Sequence, residues 1–219
     1  FCVAAATDIF PSVLNAAGVA DIVDFEFHPF GNAYFATKEC GMGPYDSAER
    51  HCWFNTCVKQ GVSPASDCFT GDLVAQHGDM EKQFNTIEAC AVKHYPKWQE
   101  YWPFVQCAEQ NYHGVGLAGV KFCAAKAKLD FAALQSCASG SDGQEANAAQ
   151  AKLTPDHPGV PYILINGQPV DDTYKLRNHL LAAVCKAYTG EKPAGCQGAL
   201  ELPAAAGGNL AAEKRIIFT

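Results

Sequence analysis

Eleven cysteines, at positions 2, 40, 52, 57, 68, 90, 107, 123, 137, 185 and 196, are the residues of this 219-residue chain with the most chemistry to offer. A cysteine can attack a disulfide, bind zinc or pair into a cross-link, and spacing separates these uses. Structural zinc takes its ligands as tight pairs, about two to four residues apart. Only Cys52 and Cys57, with His51 alongside, come near that spacing, so no metal site is expected. The same two cysteines have four residues between them, which suits a loop staple better than a CxxC redox pair. So many thiols without zinc spacing point to cross-links made in an oxidising compartment, either secretory and lumenal or extracellular. We expect four or more bridges. Cys40, Cys52, Cys57 and Cys68 should pair among themselves, since they cluster in one Gly- and Pro-rich segment, and Cys185 should reach Cys196 across a turn. An odd total leaves one thiol over, and the outermost, Cys2, is the natural candidate. It is either a redox thiol or one half of a structural bridge.

These residues must be positioned by a core, and the composition allows one: 48% of residues are hydrophobic and 18% charged. No apolar run approaches the roughly 18 to 20 residues needed to span a bilayer as a helix. A net charge of −7, with scattered Lys and Arg, excludes a nucleic-acid partner. There is no Asn-x-Ser/Thr acceptor for N-glycosylation and no recognisable signal peptide.

Along the chain, residues 3–17 read as a helix bent or bounded at Pro11. Residues 22–28 (IVDFEFH) alternate as a half-buried strand, stopped by Pro29 and turned by Gly31 and Asn32. Residues 36–74 read as a loop-rich insertion stapled by its own bridges. A helix is expected from Asp79 to about His94, with Phe84, Ile87, Ala91 and Tyr95 on one face. Further helical pieces follow near 104–110 and 120–137, with Asp130 as a cap for the last. The polar residues 138–158 read as a long connection. Residues 160–165 form a short apolar strand, the Asn166-Gly167 turn makes a hairpin with 168–170, and Asp172 or Thr173 caps a closing helix through Val184. From Gln197 the chain reads as an Ala- and Gly-rich tail (197–219), with Ile216, Ile217 and Phe218 able to dock.

The segment from Gln76 to Cys90 (QHGDMEKQFNTIEAC) resembles the CQHGxxECxxNxxxxC signature of the gamma-interferon-inducible lysosomal thiol reductases. Gln76, His77, Gly78, Glu81, Asn85 and Cys90 fall at the family spacing, while Ala75 and Lys82 stand where the signature has two more cysteines. Residues 30–33 (FGNA) are similar to the family's YGNA turn. Val160, Pro161 and Tyr162, followed by Asn166 and Gly167, are similar to its VPW and VNG segment, and residues 185–196 to its closing helix and terminal cysteine. The resemblance covers about residues 1–196.

It implies an α/β, thioredoxin-like sheet carrying helical, disulfide-stapled insertions at 36–74 and 75–158 within one domain, 1–196. It implies a thiol–disulfide oxidoreductase acting on protein disulfides in a lysosomal or other lumenal compartment, without a cofactor. In the family a CxxC pair opens the first helix, where the dipole and free N–H groups favour a thiolate. Cys2 falls at the second cysteine of that pair, so the first cysteine, and the strand before it, are expected upstream of Phe1. Pro161 falls at the cis-proline that thioredoxin-like proteins set opposite the pair. Cys2 and Pro161 are the implied site residues. His77 in the Gln-His-Gly turn reads better as a helix-start hydrogen-bonding residue, and Trp98, Tyr101 and Trp102 as core. The drift at residues 75 and 82 leaves a second possibility, a redox-silent accessory subunit that contacts a partner.

Overall fold

The computed structural model describes residues 1–111, 116–170, 179–199 and 215–218. The first helix, α1 (residues 2–14), runs through Cys2–Ala4, Ala5–Ile9 and Phe10–Leu14. Its middle is wound wide, with the Phe10 N–H reaching back to Ala5 O. Pro11, which follows, has no N–H to give, so the break in regular winding costs little there. A connection then leads into β1 (Asp24–Phe27).

Two small strands, β2 (Tyr34–Phe35) and β3 (Leu73–Val74), pair antiparallel and bracket the Cys-rich segment. Between them lies α2 (Ser47–Trp53), whose N-cap Asp46 accepts from the N–H groups of Ala48 and Glu49. Phe30, Tyr34, Phe35, Trp53, Cys57 and Leu73 form a second core of their own here. Gly71 is required for it, since a Cβ there would lie 1.9 Å from the Ala36 carbonyl oxygen.

The helical region follows: α3 (Asp79–His94), α4 (Trp98–Asn111), α5 (Gly116–Lys126), α6 (Phe131–Ser139) and α7 (Ser141–Leu153). α3 begins and ends where its periodicity puts it. Asp130 caps α6 through the Ala133 N–H, so the stretch expected as one helix over 120–137 is two. α7 corrects the expected polar connection at 138–158. Its Ala, Gln, Glu and Lys residues favour helix, and its small face packs closely on α3. A Cβ at Gly143 would lie 2.9 Å from Thr86 Cγ2, and Asn147 Nδ2 donates to Thr86 Oγ1 at 2.9 Å.

β4 (Ile163–Ile165) and β5 (Gln168–Pro169) form the expected hairpin, with Asn166 and Gly167 both at positive φ (51° and 76°), as a two-residue primed turn requires. α8 (Leu180–Ala187) packs on α1. The proposed caps Asp172 and Thr173 lie outside the described residues. Arg215–Phe218, near the end of the segment that reads as a tail, form β6.

The main sheet is four-stranded and mixed, in the order β1-β6-β4-β5. β6 is parallel to β1 and antiparallel to β4. An inner position of the sheet is thus held by residues from late in the chain. Unpaired backbone there would be costly, and β6 supplies both ladders. Phe25, Phe27, Ile216 and Phe218 face α1 and α4, where Phe10 and Trp102 pack on Phe25 and Phe218 with ring centroids 4.7–6.1 Å apart. Trp102 and Tyr101 are therefore core residues. The 22–28 and 160–165 regions belong to one sheet, as a thioredoxin-like layout demands.

Candidate active site

Ten of the eleven cysteines are cross-linked: Cys40–Cys52, Cys57–Cys68, Cys90–Cys137, Cys107–Cys123 and Cys185–Cys196. The local pairing at 40–68 and the 185–196 bridge are as the spacing suggests. Cys2 alone is a free thiol. It opens α1, half-buried behind an exposed Phe1.

Three carboxylates act electrostatically on this thiol. Glu81 and Glu88 are seven residues apart on α3, two helical turns along one face, and Glu109 comes from α4. Burial pushes the Cys2 thiol up to about 12, the Glu109 charge adds to the rise, and Glu81 and Glu88 add smaller contributions. Burial pushes Glu109 up to about 7, with Glu81 raising it further. Glu88 is 2% exposed, and its Oε1 is buried with no hydrogen-bond partner. Burial first, and the neighbouring Glu109 second, hold its pKa well above the usual carboxylate range.

The signature residues tie this corner to the turn and segment that carry the other motifs. Gly78, at φ 80°, turns the chain into α3. The His77 backbone N–H donates to Glu81 Oε2 at 2.9 Å, and its ring Nδ1 contacts the same oxygen, so His77 fixes Glu81 at the helix start. Asn32 Nδ2 donates to Gln76 Oε1 at 2.7 Å, and Asn85 Nδ2 reaches Phe30 O at 3.5 Å. At the next residue, the Gly31 carbonyl meets His157 Nε2 at 3.0 Å. The His157 ring lies tilted against Tyr162, centroids 5.7 Å apart, and also contacts Arg50 Nη2 at 2.8 Å. Between them, the Val160–Pro161 bond is cis. Pro161 stands where β4 begins, at the sheet end where β1 and β6 finish, because Ile163 and Phe27 both pair with Phe218. The Pro161 segment is thus tied to α3 through the Phe30–Gly31 turn.

Sequence reasoning missed Glu88 and Glu109 as neighbours of Cys2, and Arg50 and His157 as the bridge from the Cys-rich segment to the Pro161 segment. Glu88 had a signal: a carboxylate between Ile87 and Ala89 on a helical face that is otherwise buried. Glu109 had none, since its approach depends on how α4 crosses α1. Among the described residues no cluster of His, Cys, Asp and Glu is arranged to hold a metal ion.

The fold and this corner define a class: an α/β protein of thioredoxin-like layout, stapled by five disulfides, with one free thiol at the start of its first helix. The family profile described as gamma interferon inducible lysosomal thiol reductase (GILT) matches residues 63–127, which include the signature helix and the Cys107–Cys123 bridge. The chain is 29% identical over 135 residues to a gamma-interferon-responsive lysosomal thiol protein of Arabidopsis thaliana, covering 60% of this chain and 54% of that protein. It is 33% identical over 133 residues to the gamma-interferon-inducible lysosomal thiol reductase of Carassius auratus (57% and 51% covered). It is 29% identical over 139 residues to that of Mus musculus (61% and 54%). Over these stretches the chain is similar to the gamma-interferon-inducible lysosomal thiol reductases. It spans about half the length of these curated relatives.

Proposed function

We propose that the protein is a thiol–disulfide oxidoreductase that acts on protein disulfides in an acidic, lysosomal or otherwise lumenal compartment. Cys2 is the second, resolving cysteine of a CxxC pair whose first member stands two residues before Phe1. The observation that carries this reading is the isolation of Cys2: ten cysteines are spent on bridges, and the one left over opens the first helix. Its half-buried thiol, held protonated by its surroundings, suits a resolving cysteine, which must stay inert until a mixed disulfide forms beside it. Pro161, with its cis peptide bond at the start of β4, is the residue we assign to face the pair and leave the Val160 backbone free for an extended substrate. The test is multiple-turnover reduction of a disulfide-bonded protein substrate, from mildly acidic to neutral pH, by a chain that includes the residues preceding Phe1. Activity should be present and abolished by Cys2→Ser. No activity at any pH in that range would favour the redox-silent accessory subunit, the reading to which Ala75 and Lys82 point.

A further inference from the structure

β1 stands at one end of the order β1-β6-β4-β5, so only one of its sides is paired within the sheet. On that side the His28 N–H donates to Phe218 O. Alternate residues of a parallel ladder turn their backbone groups the same way, so Asp24 and Glu26 also point theirs toward β6. Phe25 and Phe27 point theirs outward. Tyr101 Oη takes the Phe27 N–H at 3.2 Å, and nothing equivalent covers Phe25 among the described residues. These outward groups open onto a groove of about 640 Å³ that follows β1 from Asp21 to His28. Two helix ends wall it. Trp98, at the start of α4, packs edge-on against Phe25 with ring centroids 5.9 Å apart, and Gln150, near the end of α7, meets His28 Nδ1 at 2.8 Å. Leu153, 51% exposed, forms the lip on the α7 side. An edge set between two helix ends is closed to another folded sheet and open to a single extended chain.

The polar groups of the groove select what that chain carries. Asp24, Glu26 and His28 alternate along β1 and share one face, roughly 6 to 7 Å apart. Asp21 and Asp24 are exposed, and neither forms an ion pair among the described residues. Lys97 and Arg215 also line the groove, but Arg215 is already held by Glu26 at 2.6 and 2.7 Å, so the lip is net acidic. His28 is 4% exposed, and its Nε2 is buried without a hydrogen-bond partner, Glu26 Oε2 standing 3.5 Å away. A buried polar atom left unsatisfied at an open groove marks the place of a ligand donor. A lysine ammonium has three N–H donors, enough for Nε2 and a carboxylate together.

We propose that the open edge of β1 binds an extended, basic segment of another polypeptide as a fifth strand. Its backbone pairs with the outward N–H and carbonyl of Phe25, and its side chains alternate between the acidic face of β1 and the Trp98 wall. Basic side chains meet Asp24 and His28, and apolar ones meet Trp98. No sulfur takes part, so the inference does not rest on Cys2 being part of a redox pair. The site is also separate from Pro161, which precedes β4, two strands away.

The test uses the 219-residue chain and a fluorescein-labelled hexapeptide of alternating valine and lysine, blocked at both ends and read by fluorescence anisotropy. Binding should saturate. A peptide with glutamate in place of lysine should bind about 10-fold more weakly, because like charges then face Asp24. N-methylation of alternate peptide amides should weaken binding about 10-fold or more for the set that faces β1 and little for the other set. Neither comparison needs a protein variant. Asp24→Lys, a change at an exposed position, should reverse the charge preference. Hydrogen exchange locates the peptide: it should slow exchange of the Phe25 amide and leave Gln168, on the opposite edge strand β5, unchanged. No binding, equal binding of the two charge types, or protection at β5 in place of β1 would overturn the proposal. So would Phe25 protection that grows with protein concentration in the absence of peptide, which would give the edge to a second copy of the chain.

Discussion

The sheet with its first helix and the helical and Cys-rich surroundings are held together by different means. No cysteine lies in β1, β4, β5 or β6, and the one in α1 is free; the five bridges all lie outside the sheet. The sheet and α1 depend instead on aromatic packing of Phe10, Phe25, Phe27, Trp102 and Phe218. The second core, at Phe30, Phe35 and Trp53, is small and carries two short-range staples, 12 and 11 residues in separation. Small cores bury too little to stand alone, and cross-links offset that by restricting the unfolded chain. The difference sets the bridged sulfurs apart from the one free thiol, Cys2.

The sharpest way to break the comparison is to attack each region by its own means. Phe218→Ala should lower the unfolding free energy by about 3–5 kcal/mol, as for other buried aromatic truncations. Denaturant melts with unchanged slope would register it. The loss should be global, because β6 is bonded to both β1 and β4. Replacing Cys57 and Cys68 together by Ala should cost less, about 2–3 kcal/mol for a loop of that length. Hydrogen exchange should then show protection falling across residues 34–74 while β1 and β4 keep theirs. Equal loss in both regions would mean that the two cores unfold as one unit.

A smaller effect is expected at the rim of the sheet. Glu26 contacts the His28 ring at 3.5 Å and pairs with Arg215 Nε and Nη2 at 2.7 and 2.6 Å. The His28 contact first, and Arg215 after it, lower Glu26 from its ordinary 4.5 to about 2, against the opposing effect of burial. A carboxylate with a depressed pKa stabilises the fold at pH values above its unfolded pKa, and that share is lost as the pH falls through the folded one. Stability should therefore decline between about pH 4.5 and 2, and Glu26→Gln should flatten that part of the acid limb. The pair is partly exposed, so the effect is modest and shrinks with added salt.

What could be read in the sequence divides along the same line. α3, the Asn166-Gly167 hairpin and the local bridges were legible because each is decided by neighbours within a few residues: an apolar stripe, a turn dipeptide, clustered cysteines. α7 was not. Its buried face is made of Gly143, Ala146, Asn147, Gln150 and Ala151, and such residues look like a polar linker until α3 is packed against them. The place of β6 was equally hidden. Residues 215–218 are apolar enough to dock, but the strands that flank them lie about 190 and 50 residues earlier in the chain. At the candidate site the motif residues Cys2, Glu81 and Pro161 were visible by position, while Glu109 depends on a helix crossing that no local pattern encodes.

The central claim is that Cys2 resolves a mixed disulfide, and trapping that species tests it most directly. A chain that includes the residues before Phe1, mixed with a disulfide-bonded protein substrate and quenched with acid, is resolved by intact mass. Cys2→Ser should accumulate a covalent adduct of one substrate molecule that thiols release, while the wild type should show the oxidised pair and free reduced substrate. An absence of adduct in Cys2→Ser, or equal adduct in both proteins, would contradict the account.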